Sequence, residues 1–234
     1  MSAHLREYGS PAAVLAAKRF AVAYPTDISH PLFARMWVLL SPGADHAGAA
    51  EHRDELLAGL SGRVIEVGAG NGLNFRHYPA AVTEVVALEP EPYLRRRAEQ
   101  AAAEAPVSVT VVAGVADALP ADDGECDAGV VSLVLCSVPD QAAALRELRR
   151  VIRPGGELRF YEHVVARERR AAAVQRRLDR WGIWSRVGAG CHLARDTVTA
   201  IEEAGFAIER CRRFPFGPGP FQIPHILGSA RRPE

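Results

Sequence analysis

The sequence carries no surplus charge of either sign, because 28 lysines and arginines are matched by 28 aspartates and glutamates. Proteins that bind nucleic acid or an anionic membrane surface usually carry a basic surplus, so this balance disfavours both classes. No apolar run approaches the roughly 20 residues that a membrane-spanning helix needs. The first residues lack a basic segment followed by an apolar core, so no signal peptide is predicted. We therefore expect a cytoplasmic protein without stable membrane insertion.

Cysteine is scarce and irregularly spaced. The four cysteines are Cys126, Cys136, Cys191 and Cys211, and they form neither a CxxC pair nor a zinc-like pattern with histidine. This spacing indicates neither a disulfide framework nor a metal site. The sequence thus predicts a reduced protein without a bound metal, in which Cys136 packs as a small apolar side chain.

From Arg63 onward, short apolar segments alternate with segments of helical composition. Strands are predicted at 63–67, 84–88, 107–112, 127–134, 157–161, 206–212 and 221–229. Helices are predicted at 11–24, 44–57, 91–103, 141–152 and 195–204, and from the glycine-rich turn to Tyr78. This alternation predicts a mainly parallel sheet with helices on both faces. The last two strands have no helix between them, which predicts an antiparallel hairpin at one edge.

A glycine-rich turn follows the first predicted strand. Gly68, Gly70 and Gly72 form GxGxG, whereas a dinucleotide-binding turn requires GxGxxG and this chain has Leu73 at the sixth position. The carboxylate of Glu66 would repel a phosphate but attract an ammonium group. Glu89 ends the next strand, where an acidic residue accepts hydrogen bonds from ribose hydroxyls. Together these residues favour an adenosine-containing cofactor that has an amino group and no phosphate.

Several of these segments resemble those of class I S-adenosylmethionine-dependent methyltransferases of the type 11 group. VIEVGAGNG at 64–72 resembles their motif I, Glu89 matches their second motif, and RRVIRPGGE at 149–157 is similar to the turn before their fifth strand. The resemblance implies a Rossmann-like α/β fold with a seven-stranded, mainly parallel sheet and a C-terminal antiparallel hairpin. It also implies a helical lid or substrate-binding segment at 1–60 and an S-adenosylmethionine-binding domain at 61–234.

A narrower resemblance points to the acceptor. NGLNFRHYP, LVLCSVPD, FYEHV and GAGCHLARDT are similar to segments of the branch that includes the animal alkyl-thiol S-methyltransferases. Members of that branch from animals carry an N-terminal membrane anchor, a feature that we do not expect in this chain. The resemblance implies methylation of a small molecule, with a thiol as the expected acceptor. The alternatives are an O- or C-methyltransferase of a small aromatic compound or natural product, and a non-catalytic homologue that binds the cofactor.

By position, the resemblance implies that the cofactor contacts the glycine turn and the ends of the following strands. The implied residues are Glu66, Gly68, Ala69, Gly70, Asn71, Asn74, Glu89, Pro90, Ala116, Asp117, Ser132 and Leu133. Glu66 and Asn74 would line the methionine end, Glu89 the ribose, and Asp117 the adenine edge. Many family members place an acidic residue where this chain has Val115. Either Asp117 replaces it or that hydrogen bond to the adenine amino group is missing.

Methyl transfer from a sulfonium requires positioning and exclusion of water, and a base only when the acceptor must lose a proton. His163 follows a predicted strand at the sheet edge where ligands bind, and histidine titrates near neutral pH, so His163 is our candidate base. His192 and Tyr24 are candidates for contact with the substrate. A nicotinamide dehydrogenase is a competing interpretation that Leu73 and Glu66 disfavour. We expect a small-molecule substrate, no nucleic acid partner, and a monomer or homodimer.

Overall fold

The computed structural model describes residues 29–217 and 222–234. Its seven-stranded sheet has the order β3-β2-β1-β4-β5-β7-β6. The strands are β1 Gly62–Val67, β2 Val82–Leu88, β3 Val109–Val112, β4 Cys126–Ser132, β5 Ile152–His163, β6 Ala207–Phe216 and β7 Ile223–Arg231. Strands β1 to β5 pair in parallel, and β7 pairs antiparallel with both β5 and β6. This confirms the predicted Rossmann-like sheet with its terminal hairpin.

Helices cover the sheet and precede it. Those in the described residues are α1 Pro31–Ala44, α2 Ala50–Leu57, α3 Pro92–Ala102, α4 Gln141–Val151, α5 Arg169–Trp181, α6 Ile183–Val187 and α7 Thr197–Glu203. Four of the described helices begin at a carboxylate that accepts from backbone amides of the first turn: α3 at Glu91, α4 at Asp140, α5 at Glu168 and α7 at Asp196. None of the helices in the described residues is long and apolar enough to cross a membrane.

Apolar side chains on both faces of the sheet form two core clusters. One, which includes Ile65, Leu145 and Phe160, lies against α4 and α7, and the other, which includes Val64 and Leu56, lies against α2 and α3. Strands that are buried on both faces read as continuous apolar runs, which is why β1, β2 and β4 were visible in the sequence.

Several predicted boundaries were wrong. The helix predicted from the glycine turn to Tyr78 is a series of turns with one short 3-10 segment, Phe75–His77, because Gly72 has a left-handed φ of 79°. Strand β4 ends at Ser132 because Leu133 adopts a left-handed φ of 60°. The predicted helix at 11–24 and residue Phe221 lie outside the described residues.

Strand β6 is longer than the predicted strand at 206–212, since it continues to Phe216. Strand β5 is longer than predicted at both ends, so His163 is its last residue rather than a loop residue. Helix α7 begins two residues later than predicted because Asp196 caps it through the Thr199 amide. These differences move element ends but leave the sheet topology as predicted.

Candidate active site

Glu66 is a buried carboxylate at the carboxyl end of β1. It accepts hydrogen bonds from Asn74 Nδ2 at 2.8 Å and from the Tyr78 hydroxyl at 2.7 Å. Burial is the main cause that raises the pKa of Glu66 to about 7, and these two hydrogen bonds oppose the rise. The Oδ1 atom of Asn74 is buried and has no hydrogen-bond partner among the described residues. A buried carboxylate beside an unpaired amide oxygen is suited to binding a cation that donates hydrogen bonds.

The glycine-rich turn connects this carboxylate to the rest of the sheet edge. A Cβ atom at Gly68, which has φ of 70°, would lie 2.4 Å from Cγ2 of Val134, so the turn packs tightly against the loop after β4. A Cβ atom at Gly70, which has φ of 59°, would find Trp37 Nε1 as its nearest described neighbour, at 3.8 Å. Gly68 is therefore tightly packed, whereas Gly70 makes only an ordinary contact with Trp37 among the described residues, so its backbone is the less crowded part of the turn.

Glu89 follows β2 and points back to the same turn. Its Oε2 accepts from the Gly70 amide at 2.7 Å, and its Oε1 accepts from the Glu91 amide at 2.9 Å. Burial is again the main cause that raises its pKa to about 7, against the effect of these two amides. Glu89 therefore both fixes the turn and presents a carboxylate at the carboxyl edge of the sheet, where ligands of open α/β sheets bind.

Helix α1 lies over the glycine turn. Trp37 Nε1 donates to Asn71 Oδ1 at 3.2 Å, and Asn71 Nδ2 donates to Ser41 Oγ at 3.2 Å. Asp45 pairs with Arg53 and with Arg76, which joins the segment after α1 to α2 and to the turn after Asn74. Residues that precede the sheet thus form part of the wall of the candidate site.

The loop after β4 is held by a fully buried carboxylate, Glu162. Its two oxygens accept from the backbone amides of Val134, Leu135 and Cys136 at 2.9, 3.0 and 3.1 Å. Burial raises the pKa of Glu162, and the three amides oppose that rise. Sequence reasoning missed this residue, although its position directly before His163 at the end of a strand was a usable signal.

Two cysteines lie against His163. Nδ1 of His163 is 3.2 Å from Cys191 Sγ and 3.7 Å from Cys136 Sγ. Both cysteines are buried, and the hydrogen bond from Cys136, followed by the interaction with His163, lowers the pKa of the Cys191 thiol. The prediction that Cys136 is merely a small apolar residue was therefore incomplete. The three residues, which we call the Cys–His–Cys cluster, come together only because their loops meet in the fold.

Aromatic rings adjoin the cluster on the side of α2. The His225 ring contacts the His163 ring at a centroid distance of 4.5 Å and stacks on Tyr161 at 5.3 Å. The His52 ring lies 4.4 Å from Phe214. Burial lowers the pKa of His225 to about 3, so this imidazole is neutral at physiological pH. The ring that lies directly against His163 is therefore uncharged.

The remaining predicted site residues fall around this region. Ala69 is buried, Pro90 is half-buried after Glu89, and Ser132 and Leu133 end β4 beside the cluster. Ala116 and Asp117 lie in a turn after β3 that is closed by a bridge between Val115 and Ala118, and Asp117 is exposed. The amide of His192 donates to the Cys136 carbonyl at 2.8 Å. Tyr24 lies outside the described residues.

Comparisons with known proteins show which family the chain belongs to. A family model described as a methyltransferase domain matches residues 65–160. The thiol S-methyltransferase TMT1B of Homo sapiens is 33% identical over 85% of this chain and 85% of its own length. TMT1A of Homo sapiens is 35% identical over 74% of this chain and 72% of its own length. This chain belongs to that methyltransferase family.

Solved structures show the same fold for this methyltransferase. A putative methyltransferase from Bacillus halodurans superposes with a TM-score of 0.65 at 17% sequence identity. The superposition covers 80% of this chain and 100% of the Bacillus halodurans chain. The [4+2]-cyclase SpnF superposes with a TM-score of 0.65 at 21% identity, covering 86% of this chain and 94% of its own. Because these identities are low, the superpositions establish the fold alone. The family membership rests on the relatives above, and it makes the chain an S-adenosylmethionine-dependent methyltransferase.

The raised pKa of Glu66 leads to a testable pH dependence of ligand binding. We expect S-adenosylhomocysteine, which carries an ammonium group, to bind more tightly as Glu66 ionises, with Kd falling by up to about tenfold per pH unit below 7. Without ligand, ionisation of Glu66 has the opposite effect, because it destabilises the folded chain. Between pH 4.5, the ordinary pKa of a glutamate, and about pH 7, the folded chain holds the Glu66 proton more tightly than the unfolded chain, so the free energy of unfolding decreases as pH rises.

Calorimetric titration between pH 6 and 8 measures this effect. Glu66→Gln is expected to weaken binding and to reduce the pH dependence, leaving the part that comes from Glu89. A Kd that stays constant across this pH range would contradict the proposed pairing of Glu66 with the ligand ammonium.

Proposed function

We propose that this methyltransferase transfers a methyl group from S-adenosylmethionine to the sulfur of a small thiol. The observation that carries the proposal is the similarity to thiol S-methyltransferases over 85% of this chain. It is supported by the composition of the candidate acceptor side, where two cysteines, a histidine and aromatic rings adjoin the ends of β4 and β5.

The methionine end of the cofactor fits the residues at the end of β1. The ammonium group would donate to the carboxylate of Glu66 and to Asn74 Oδ1, which is buried without a partner among the described residues. The amino-acid group would also lie against the backbone at Gly70, where a Cβ atom would make only an ordinary contact with Trp37 among the described residues. An orphaned acceptor beside a buried carboxylate is costly unless a cationic donor binds there, which supports this placement.

The nucleoside end fits the residues that follow β2 and β3. Glu89 would accept hydrogen bonds from the ribose hydroxyls while keeping the amides of Gly70 and Glu91. Pro90 would flank the adenine, and Ala116 and Asp117 would lie at its edge. Asp117 is exposed in the described structure and is therefore free to turn toward the adenine amino group.

When bound, the cofactor supplies an electrophilic methyl group on a sulfonium sulfur. The protein contributes orientation and a water-poor environment. We propose that residues 1–60 close over the cofactor as a lid of the 61–234 domain. Trp37 and Ser41, which contact Asn71 above the glycine turn, support this role for the described part of the segment. Tyr24 remains the predicted contact from the part that the structure does not describe.

The acceptor would approach between the Cys–His–Cys cluster and the aromatic rings. The side chain of His163 lies at this end with Nδ1 directed at two sulfurs, so we propose that it acts on the acceptor together with the cysteines rather than as an isolated base. His192, whose backbone amide donates to the Cys136 carbonyl, would contact the substrate from the neighbouring loop. The aromatic walls favour an acceptor with an apolar body, such as an alkyl or aryl thiol.

Product analysis with a panel of acceptors tests this function. Purified protein and labelled S-adenosylmethionine are incubated with alkyl thiols, aryl thiols, hydrogen sulfide, phenols and aromatic acids, and each product is identified by mass. We expect methylated thiols, with activity lost in Glu89→Ala and retained in Glu99→Ala, which changes an exposed residue of α3. Methylation of phenols alone would move the assignment to oxygen acceptors. No methylated product, with the cofactor bound, would favour a non-catalytic role.

A further inference from the structure

The Cys–His–Cys cluster has the arrangement of a metal site. The sulfurs of Cys136 and Cys191 and a ring nitrogen of His163 all lie within 4.8 Å of one another. The residues come from the loop after β4, the end of β5 and the loop after α6, so only the fold assembles them. Linear spacing in the sequence could not reveal such a site.

The distances agree with tetrahedral zinc coordination. Zn–S bonds of about 2.3 Å and Zn–N bonds of about 2.0 Å place tetrahedral sulfur and nitrogen ligands about 3.5 Å apart. The two observed S···N distances are 3.2 and 3.7 Å, on either side of this value. We propose that Cys136, His163 and Cys191 bind one Zn²⁺ ion and leave its fourth coordination position open. Three protein ligands with an open position are typical of catalytic rather than structural zinc sites.

The surrounding hydrogen bonds hold both cysteine-bearing loops in place. Glu162 fixes the amide of Cys136, and the Cys136 carbonyl accepts from His192. On the other loop, Asp179 accepts from the amides of Leu193 and Ala194 at 2.9 and 2.8 Å. Carboxylates that fix the loops carrying the ligands are expected for a preorganised metal site.

Charge and packing at the cluster also suit a dication. Two thiolates and Zn²⁺ sum to zero, and the guanidinium of Arg195 interacts with both cysteines and can balance one further anionic ligand. Leu178, Trp184 and Leu193 pack around the sulfurs and limit access of water. With an anionic sulfur ligand from the substrate, the charges of Zn²⁺, three thiolates and Arg195 would sum to zero, apart from the carboxyl group of Glu162, which three backbone amides hold.

The catalytic role of the Zn²⁺ ion rests on the proposed function. Binding of the ion by the Cys–His–Cys cluster does not depend on that function. The acceptor thiol would bind at the open position and release its proton to solvent, which leaves a thiolate on the metal. Its sulfur then forms a bond to the methyl carbon while the bond from that carbon to the sulfonium sulfur breaks, and that electron pair stays on the cofactor sulfur. The neutral methyl thioether is a weaker ligand and dissociates. The metal thereby takes the place of the base predicted at His163.

Zinc content and cobalt spectra test the site directly. The full-length chain, without an affinity tag, is loaded with Zn²⁺ and freed of excess metal, and bound zinc is measured by mass spectrometry. We expect about one zinc per chain in the wild type and near loss of it in Cys191→Ser and His163→Gln. Cys211→Ser and Cys126→Ser are matched controls that should keep the metal, because these cysteines lie outside the cluster.

Replacing Zn²⁺ with Co²⁺ in the wild-type protein gives a spectroscopic test that does not depend on whether any variant folds. The wild type should show thiolate-to-cobalt charge transfer and the strong visible bands of tetrahedral cobalt. Failure of the wild type to retain zinc and to give this spectrum would overturn the proposal. Zinc content that is unchanged in a folded Cys191→Ser variant would overturn it as well.

The two proposals fail in different ways. If the cluster binds zinc but no thiol is methylated, the metal site stands and the proposed function does not. If thiols are methylated equally by the zinc-loaded and the metal-free protein, the function stands and the role of the metal in catalysis is overturned. Loss of thiol methylation on zinc removal, with cofactor affinity unchanged, supports both.

Discussion

Replacing Glu162 with alanine is expected to reduce the free energy of unfolding by about 3 kcal/mol or more. The substitution leaves the amides of Val134, Leu135 and Cys136 without their acceptor in a fully buried place, and each unsatisfied group costs about 1–3 kcal/mol. Relief from burying a carboxylate and entry of water offset part of this cost. Urea denaturation monitored by circular dichroism measures the change.

Two variants make the result specific to the hydrogen bonds of Glu162. Glu162→Gln keeps an amide oxygen for two of the three donors and should lose less stability than Glu162→Ala. Glu209→Ala removes an exposed carboxylate of β6 that pairs with Arg231, and is expected to cost about 1 kcal/mol or less. If Glu162→Ala were no more destabilising than Glu209→Ala, Glu162 would not be what holds the loop after β4.

Glu89→Ala is expected to weaken the binding of S-adenosylhomocysteine by at least about 100-fold. Two hydrogen bonds from ribose hydroxyls to a buried carboxylate contribute about 1.5–3 kcal/mol each, and the variant also frees the Gly70 amide that Glu89 holds at 2.7 Å. Isothermal titration calorimetry gives the affinity, and thermal unfolding without ligand shows whether the variant remains folded.

The control for Glu89 lies on the next helix. Glu99→Ala removes an exposed carboxylate of α3 and should leave the affinity unchanged. An affinity of Glu89→Ala close to that of the wild type would show that the ribose binds elsewhere and would remove the basis for placing the cofactor along β1 and β2.

The sheet could be predicted from the sequence because each strand is marked by local information. Strands buried on both faces are continuous apolar runs, and the glycines after β1 are required by left-handed backbone angles such as the 70° of Gly68. Glu89 was predictable for the same reason, since it directly follows an apolar strand. The strands, the glycine turn and the position of Glu89 each depend on residues that are close together in the chain, so they can be predicted from the sequence.

The acceptor side could not be predicted in this way. Cys136 and Cys191 are far apart in the chain, and only the pairing of β4 with β5 and the path of the loop after α6 bring them to His163. The role of Glu162 could not be predicted because its hydrogen-bond donors are backbone amides. Every residue other than proline has such an amide, so the sequence does not mark these partners. The boundary errors arose where a single backbone angle, such as that of Leu133, ended an element.

Methylation of 2-mercaptoethanol, which carries a thiol and a hydroxyl on the same short chain, tests the central claim most directly. Both groups reach the site on the same carbon skeleton, so the product shows directly whether sulfur or oxygen is methylated. Purified protein, S-adenosylmethionine and this acceptor are incubated, and the product is identified by nuclear magnetic resonance and mass. Our account predicts the S-methyl thioether, in an amount that matches the S-adenosylhomocysteine formed. The O-methyl ether, or no methylated product while the cofactor is bound, would contradict it.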